Sequence, residues 1–251
     1  MRIAVLSDIH GNLTALTAVL RDLVEHQVDT IVNLGDSLSG PLLPQETAEF
    51  LMAQPWVHLA GNHERQLLDD APENRGPSDR YAHAQLSAEV FAWMASLPPV
   101  QWLSKEVFLC HGTPRRDDEY FLETVEAPRL RPATPAEIDE RLGKHTAAVV
   151  ICGHTHTPRA RRTDAGQLLV NPGSVGLQAY EVATHDHRHV VENYSPDARY
   201  AIVEKRAGQW QAQLLSVPYD HAQAAEMAHQ RGRPDWEVAL LYGRMTAPGP
   251  A

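Results

Sequence analysis

Asp8 and His10 stand two residues apart where an apolar run, Arg2-Ile3-Ala4-Val5-Leu6, gives out. Side chains alternate across a strand, so a carboxylate and an imidazole at this spacing can face the same way, with Gly11 letting the backbone turn. Alone, Asp-x-His reads as readily as a helix-capping aspartate with a surface histidine beyond it. The chain, however, repeats the device. Thr30-Ile31-Val32-Asn33-Leu34 runs into Gly35-Asp36, Val57-His58-Leu59-Ala60 into Gly61-Asn62-His63-Glu64, Val107-Phe108-Leu109-Cys110 into His111, and Ala148-Val149-Val150-Ile151-Cys152 into Gly153-His154-Thr155-His156. The donors Asp8, His10, Asp36, Asn62, His111, His154 and His156 combine carboxylate, imidazole and amide oxygen. That mixture suits divalent ions such as Mn, Fe, Zn, Co or Ni, with Mn expected to serve in vitro. Seven donors are too many for one four-coordinate ion and enough for two that share a carboxylate. Two such ions can polarise a phosphoryl oxygen and hold a water deprotonated near neutral pH.

Positioning these donors requires several buried strands ending at one edge. Runs of β-branched and aliphatic residues without alternation read as strands buried on both faces of a largely parallel sheet, and open α/β sheets place ligands at the strands' carboxyl ends. Asn12 can cap a helix through about His26, with Leu13, Leu16, Val19, Leu20 and Leu23 as one stripe, so the first two strands should be parallel. Pro44 suits the start of a helix to about Ala53. The pattern predicts a further helix over 78–96, then paired strands over 101–104 and 107–110 that begin a second sheet. Residues 113–135 show no strong period and carry Arg115, Arg116, Arg129 and Arg131; they read as an active-site cover or a long surface excursion. A short helix is expected over 136–144. Residues 159–162, 167–171, 200–205 and 210–217 read as one antiparallel meander, with the turn-rich Asn171-Pro172-Gly173-Ser174-Val175-Gly176 pressed between them. His185, His187 and His189 alternate with Asp and Arg, which fits a solvated strand edge better than a metal site. Residues 220–228 and 235–241 turn helical within a C-terminal helical segment, 219–251.

Composition bounds the rest. At 251 residues, with 43% hydrophobic and 22% charged residues, the chain can bury a full core and is read as a single domain. No apolar stretch approaches bilayer length, and the chain enters its first strand without a signal-like segment, which reads as cytoplasmic with no membrane partner. A formal net charge of −10 speaks against long nucleic acid, while a few arginines could still hold one phosphate. Two cysteines, Cys110 and Cys152, make no disulfide framework and read as buried, reduced thiols. Nothing in the sequence reports oligomeric state.

The ordered set Asp8-Ile9-His10, Gly35-Asp36, Gly61-Asn62-His63-Glu64, His111 and Gly153-His154-Thr155-His156 resembles the signature of the calcineurin-like metallophosphoesterases. His111-Gly112-Thr113-Pro114-Arg115 and Asn171 to Gly176 are similar to its small bacterial and archaeal branch. The resemblance implies an α/β fold, a four-layer α-β-β-α sandwich with two mixed sheets. It implies Asp8, His10 and His156 on one ion, Asn62, His111 and His154 on a second, and Asp36 bridging. His63 would be the general acid, and Glu64 would orient its ring and keep it protonated. Arg65 and Arg115 are candidates for a substrate phosphate or for surface ion pairs. The expected activity is hydrolysis of a phosphomonoester or phosphodiester by a metal-bridging hydroxide, on a small phosphorylated substrate, a nucleotide among the candidates. The protein phosphatases of the superfamily carry an arginine shortly after Gly-Asp; Ser37-Leu38-Ser39-Gly40 has none, which speaks against a phosphoprotein recognised that way. The competing reading is a non-catalytic, protein-binding scaffold on the same fold, which would be expected to lose ligands or His63; this chain keeps them all.

Overall fold

The structure is a computed structural model, and it describes residues 1–183 and 188–247. The first strand, β1 (Arg2–Leu6), explains the layering. Ala4 and Leu6 point into one apolar cluster with Leu16, Val19 and Ile202, while Ile3 and Val5 point into another with Leu109, Val149, Ile151 and Val170. A strand buried on both faces must have a layer on each side of it, and it also needs a hydrogen-bonding partner along each edge.

Those partners are β2 (Thr30–Asn33), parallel, and β13 (Ala198–Arg206), antiparallel, in register Ile3↔Val203. With β3 (Val57–His58) and β14 (Gln209–Val217) they make one five-stranded sheet, ordered β14-β13-β1-β2-β3. The second sheet contains β4 (Val100–Trp102), β5 (Val107–Cys110), β8 (Val149–Ile151), β10 (Leu168–Asn171) and β9 (Arg159–Arg162), in that order. Its three middle strands run parallel and its two edge strands antiparallel. The expected meander is therefore split between the sheets: β9 and β10 extend the second, whereas β13 and β14 close the open edge of β1 in the first.

Helices cover both outer faces. Over the first sheet lie α1 (Leu13–Leu23), α2 (Pro44–Met52), α3 (Asn62–Asp69), α4 (Pro77–Gln85) and α5 (Ala88–Ser96), supplying Leu16, Leu51, Leu67, Ala82 and Met94 to its cluster. Over the second lies α6 (Pro135–Leu142), where Ile138 and Leu142 meet Phe108, Val150 and Leu169. Each fully buried Leu or Ile in these layers contributes about 1.5–3 kcal/mol relative to exposure. The helix expected over 78–96 breaks at Leu86-Ser87, both extended, because the Ser87 hydroxyl accepts from the Val90 N–H and starts a new helix.

Residues 113–135 fold in part as a hairpin, β6 (Glu123–Glu126) and β7 (Arg129–Pro132), outside the second sheet. A second hairpin, β11 (Ala179–Val182) and β12 (His189–Glu192), packs beside β7. This turns His189 inward, with Nε2 2.8 Å from the Tyr120 hydroxyl, so a solvated edge is corrected there to a buried, hydrogen-bonded ring. His185 and His187 lie outside the described residues. The chain ends in α7 (His221–Gln230) and α8 (Pro234–Tyr242), which pack with Leu42, Leu177 and Ala179. Both cysteines are free and buried. Among the described residues, no helix is long and apolar enough to cross a membrane.

Candidate metal centre

The turns leaving β1, β2 and β8 are strained in the same way. Asp8, His10, Asp36, His154 and His156 all have φ between 52° and 67°, in the left-handed region that ordinary side chains avoid. Each such residue costs on the order of 1–3 kcal/mol and persists only where its surroundings over-determine it. Here a ladder of backbone bonds does so: the Asp8, His10 and Gly11 N–H groups donate to the Gly35, Asp36 and Ser37 carbonyls, locking the first turn onto the second. The Asn171–Gly176 stretch seals the other side, with Val175 and Gly176 N–H donating to Ser7 and Asp8 carbonyls. Behind the third turn, Glu123 accepts from Thr155 Oγ1 at 2.8 Å and from Arg159 Nε. The 113–135 segment thus braces the histidine turn from behind as well as lining the cleft with Tyr120.

These turns converge the donors. Asp8, His10 and His156 place ligand-type atoms within 4.8 Å of one another, as do Asp36, His111 and His154. Separations are 3.2 Å between His10 and His156 Nε2, 3.4 Å between His156 Nε2 and Asp8 Oδ1, and 3.0 Å between His111 Nε2 and Asp36 Oδ2. These are about the edges made by ligands ~2.1 Å from a common ion. The two groups touch, with His111 Nε2 3.9 Å from Asp8 Oδ1. Asn62 is buried at the start of α3 beside them.

The tautomers point the same way. His10, His111 and His156 donate through Nδ1 to the Ser39, Leu34 and Leu177 carbonyls at 2.6–2.9 Å, so in the neutral ring it is Nε2 that carries the lone pair. Two such lone pairs at 3.2 Å repel unless something positive lies between them. Among the described residues Asp8 Oδ1 and Asn62 Oδ1 are buried with no hydrogen-bond partner, and His111 Nε2 faces the Asp36 carboxylate without hydrogen-bond geometry. An unsatisfied buried polar atom costs about 1–3 kcal/mol. A donor set that is buried, strained, and unpaired where it converges fits divalent cations.

Charge follows this geometry. Burial, then the neighbouring imidazole charge, pushes His10 and His154 down to about 4, so both are neutral and ligand-ready at pH 7. Burial opposes the charge on Asp8 and Asp36, yet the surrounding histidines outweigh it and hold both below the usual carboxylate range. His111 is driven the other way, up to about 10, because the Asp36 and Asp8 carboxylates outweigh its burial; the pocket asks for positive charge at that atom.

His63 sits at the rim, half-buried, with its ring 5.4 Å from that of His10 and its backbone N–H donating to Asp36 Oδ1 at 2.8 Å. Its Nδ1 is 2.8 Å from Asp79 Oδ1. Burial disfavours its charged form, but the Asp36 carboxylate, the Asp79 hydrogen bond and charge, and the Glu64 charge together push it up to about 9. The orienting contact expected from Glu64 therefore comes from Asp79. Successive helix residues lie about 100° apart, and the Glu64 side chain turns inward, where it accepts the Asp36, Ser37 and Gly61 N–H groups, each at 2.8 Å. Gly61 has to be a glycine: a Cβ there would come within 2.4 Å of Asp36 Oδ1. Arg65 and Arg115 stand away from the cleft. Arg65 is bidentate to Asp117, and Arg115 pairs with Glu119 and Glu140, both beside a separate groove at His111.

The main cleft, about 580 Å³, opens over both donor groups. Its lining includes Asp79, Tyr120, Tyr180, Arg233 and Trp236, none of which sequence reasoning singled out. Asp79 lies at the start of the helix expected over 78–96, and Arg233 and Trp236 in a segment with no chemical signal beyond helical spacing.

The calcineurin-like phosphoesterase superfamily domain matches residues 1–193. A metallophosphoesterase from Sphaerobacter thermophilus superimposes with a TM-score of 0.75 at 26% identity, covering 97% of this chain and 99% of that one. The hypothetical protein PH1004 from Pyrococcus horikoshii OT3 gives 0.72 at 18% identity, covering 96% and 97%. By sequence, the uncharacterized protein MJ0912 of Methanocaldococcus jannaschii is 24% identical over 258 residues, 96% of this chain and 97% of its own length.

Proposed function

The chain belongs to the calcineurin-like phosphoesterase superfamily, and from that premise we propose a dinuclear metal-dependent hydrolase of small phosphomonoesters or phosphodiesters with His63 as general acid. Family and fold support a metal-dependent phosphoester hydrolase. The observation that carries the finer reading is the convergence of buried ligand-type atoms into two touching groups, with Asp8 Oδ1 and Asn62 Oδ1 unpartnered among the described residues, which a protein-binding scaffold has no use for. Asp8, His10 and His156 would hold one ion, Asn62, His111 and His154 the other, with Asp36 between them. Bound ions supply Lewis-acid polarisation of the phosphoryl group and acidify a water near neutral pH. The protein does the rest. Asp79 fixes Nδ1 of His63, so Nε2 is presented to the cleft, and the carboxylates around the ring keep its proton in place at neutral pH. That proton is positioned for the leaving oxygen.

Purified protein loaded with Mn is expected to hydrolyse an aryl phosphate or a bis-aryl phosphate, to lose activity with a chelator, and to regain it when Mn returns. Failure on both esters with each of Mn, Fe, Zn, Co and Ni would overturn the proposal and favour the scaffold. Asp79→Asn tests the orienting role. A general acid works below its pKa, and removing the Asp79 charge and hydrogen bond lowers the His63 value from about 9, so the alkaline limb of kcat/KM should move to lower pH. An unmoved limb would show that Asp79 does not act through His63.

A further inference from the structure

The cleft has two walls of different origin. One is the donor set and its neighbours. The other is built largely by Arg233, Trp236, Ala239 and Met245, on and around α8, beyond the 1–193 stretch that matches the superfamily domain. This wall reaches the centre itself: the Trp236 ring lies 6.1 Å from that of His10 at 76°. Trp236 gets there by lying over Gly40, where a Cβ would come within 2.7 Å of the indole. It is 5% exposed and packed among Leu42, Leu177 and Ala179, so its ring is held rather than mobile.

The electrostatics of this half of the cleft are as specific as its shape. Arg233 stands 5.7 Å from the Trp236 centroid, but its guanidinium is already engaged: Nε and Nη2 donate to Asp235, and Nη1 to Ser78. Among the described lining residues beyond the donor set, the other carboxylates are Asp235, held by Arg233, Asp79, bonded to His63, Glu181, paired with Arg188 at 3.0 Å, and Asp70. A second phosphate placed here would meet the Asp70 carboxylate and guanidinium groups already committed to carboxylates of their own. A flat, uncharged ring would meet an indole and an aliphatic wall, both of which attract it.

We infer that this wall is a subsite for the organic group of the substrate, that it takes an uncharged ring system, and that Trp236 sets the preference. The substrate is then a phosphoester with one phosphoryl group carrying a ring-bearing moiety, not a polyphosphate or an acidic phosphopeptide. The inference rests on the reading of the centre as a phosphoester-hydrolysing site.

Phosphonates test it without turnover, because their P–C bond is not hydrolysed. Calorimetric titration of the Mn-loaded full chain with methylphosphonate, phenylphosphonate and para-carboxyphenylphosphonate should show phenyl binding about tenfold tighter than methyl, the scale expected for burying one aromatic ring. The added carboxylate should cancel that advantage. Trp236→Leu, apolar but ringless, should bring the phenyl-to-methyl ratio close to one. Ala239→Leu, which narrows the same wall, should do likewise, and thermal unfolding checks that each variant is folded. The subsite is overturned if phenyl binds no tighter than methyl, if the carboxylate tightens binding, or if the variants weaken both phosphonates alike. Ring preference without ester turnover would sink the hydrolase reading alone; turnover without ring preference would sink the subsite alone.

Discussion

Asp36→Asn is expected to abolish hydrolysis and to weaken both metal ions together. Asp36 is 2% exposed, its Oδ2 lies 3.0 Å from His111 Nε2, its Oδ1 accepts the His63 N–H, and its donor group lies against the other, with His111 Nε2 3.9 Å from Asp8 Oδ1. The amide keeps the shape and removes the charge. Oδ1 can still receive the His63 N–H, which argues that the turn survives, while the amide nitrogen faces an imidazole as a donor rather than a ligand. If the carboxylate is shared, each ion loses charge compensation worth several kcal/mol, and activity should fall by a factor on the order of 10³ or more. Metal content by elemental analysis, alongside activity at saturating Mn, decides it. Loss of one ion only, or of neither, would remove Asp36 from the bridging role.

The second large effect is His63→Ala, which should slow turnover by a factor on the order of 10² to 10⁴ while leaving the metals bound. The separation of these outcomes follows from geometry: the link from residue 63 to Asp36 runs through the backbone N–H, which alanine keeps. The imidazole itself contacts Asp79 and His10 at the rim. The loss should be greater for an alkyl ester than for a nitrophenyl ester, because a poor leaving group depends more on the donated proton. A variant that loses metal, or one equally slow on both esters, would place His63 among the ligands or in a structural role.

The donor set was legible because metal chemistry restricts residue type and because apolar strands announce where they end. Asp8, His10, Asp36, His111, His154 and His156 all stand just after such runs, and the structure brings them into two touching groups. Doubly buried strands that need covering layers followed from the same runs, whereas the four-layer sandwich with two mixed sheets was what the family resemblance implied. Less local features were misread. Glu64 follows His63 directly, yet helical geometry turns it to the backbone of the second turn, and the ring's partner arrives from α4, sixteen residues away. The late strands range from Leu168–Asn171, buried throughout, to the largely exposed Arg159–Arg162, and nothing in their patterns says which sheet edge each will satisfy.

Sequence by itself determined the inventory: which atoms can bind a cation, which runs must be buried, and in what order they occur. Those properties are carried by residue type and spacing of two to four, which operate within one strand or turn. Tertiary structure alone decided the company each group keeps: Asp79 on His63, Glu123 behind Thr155, Arg233 neutralised by its neighbour, Trp236 against His10 across more than two hundred residues. Such pairings depend on where packing of whole layers brings distant segments, and a side chain's charge, tautomer and access are set by those neighbours rather than by the residues beside it in the chain.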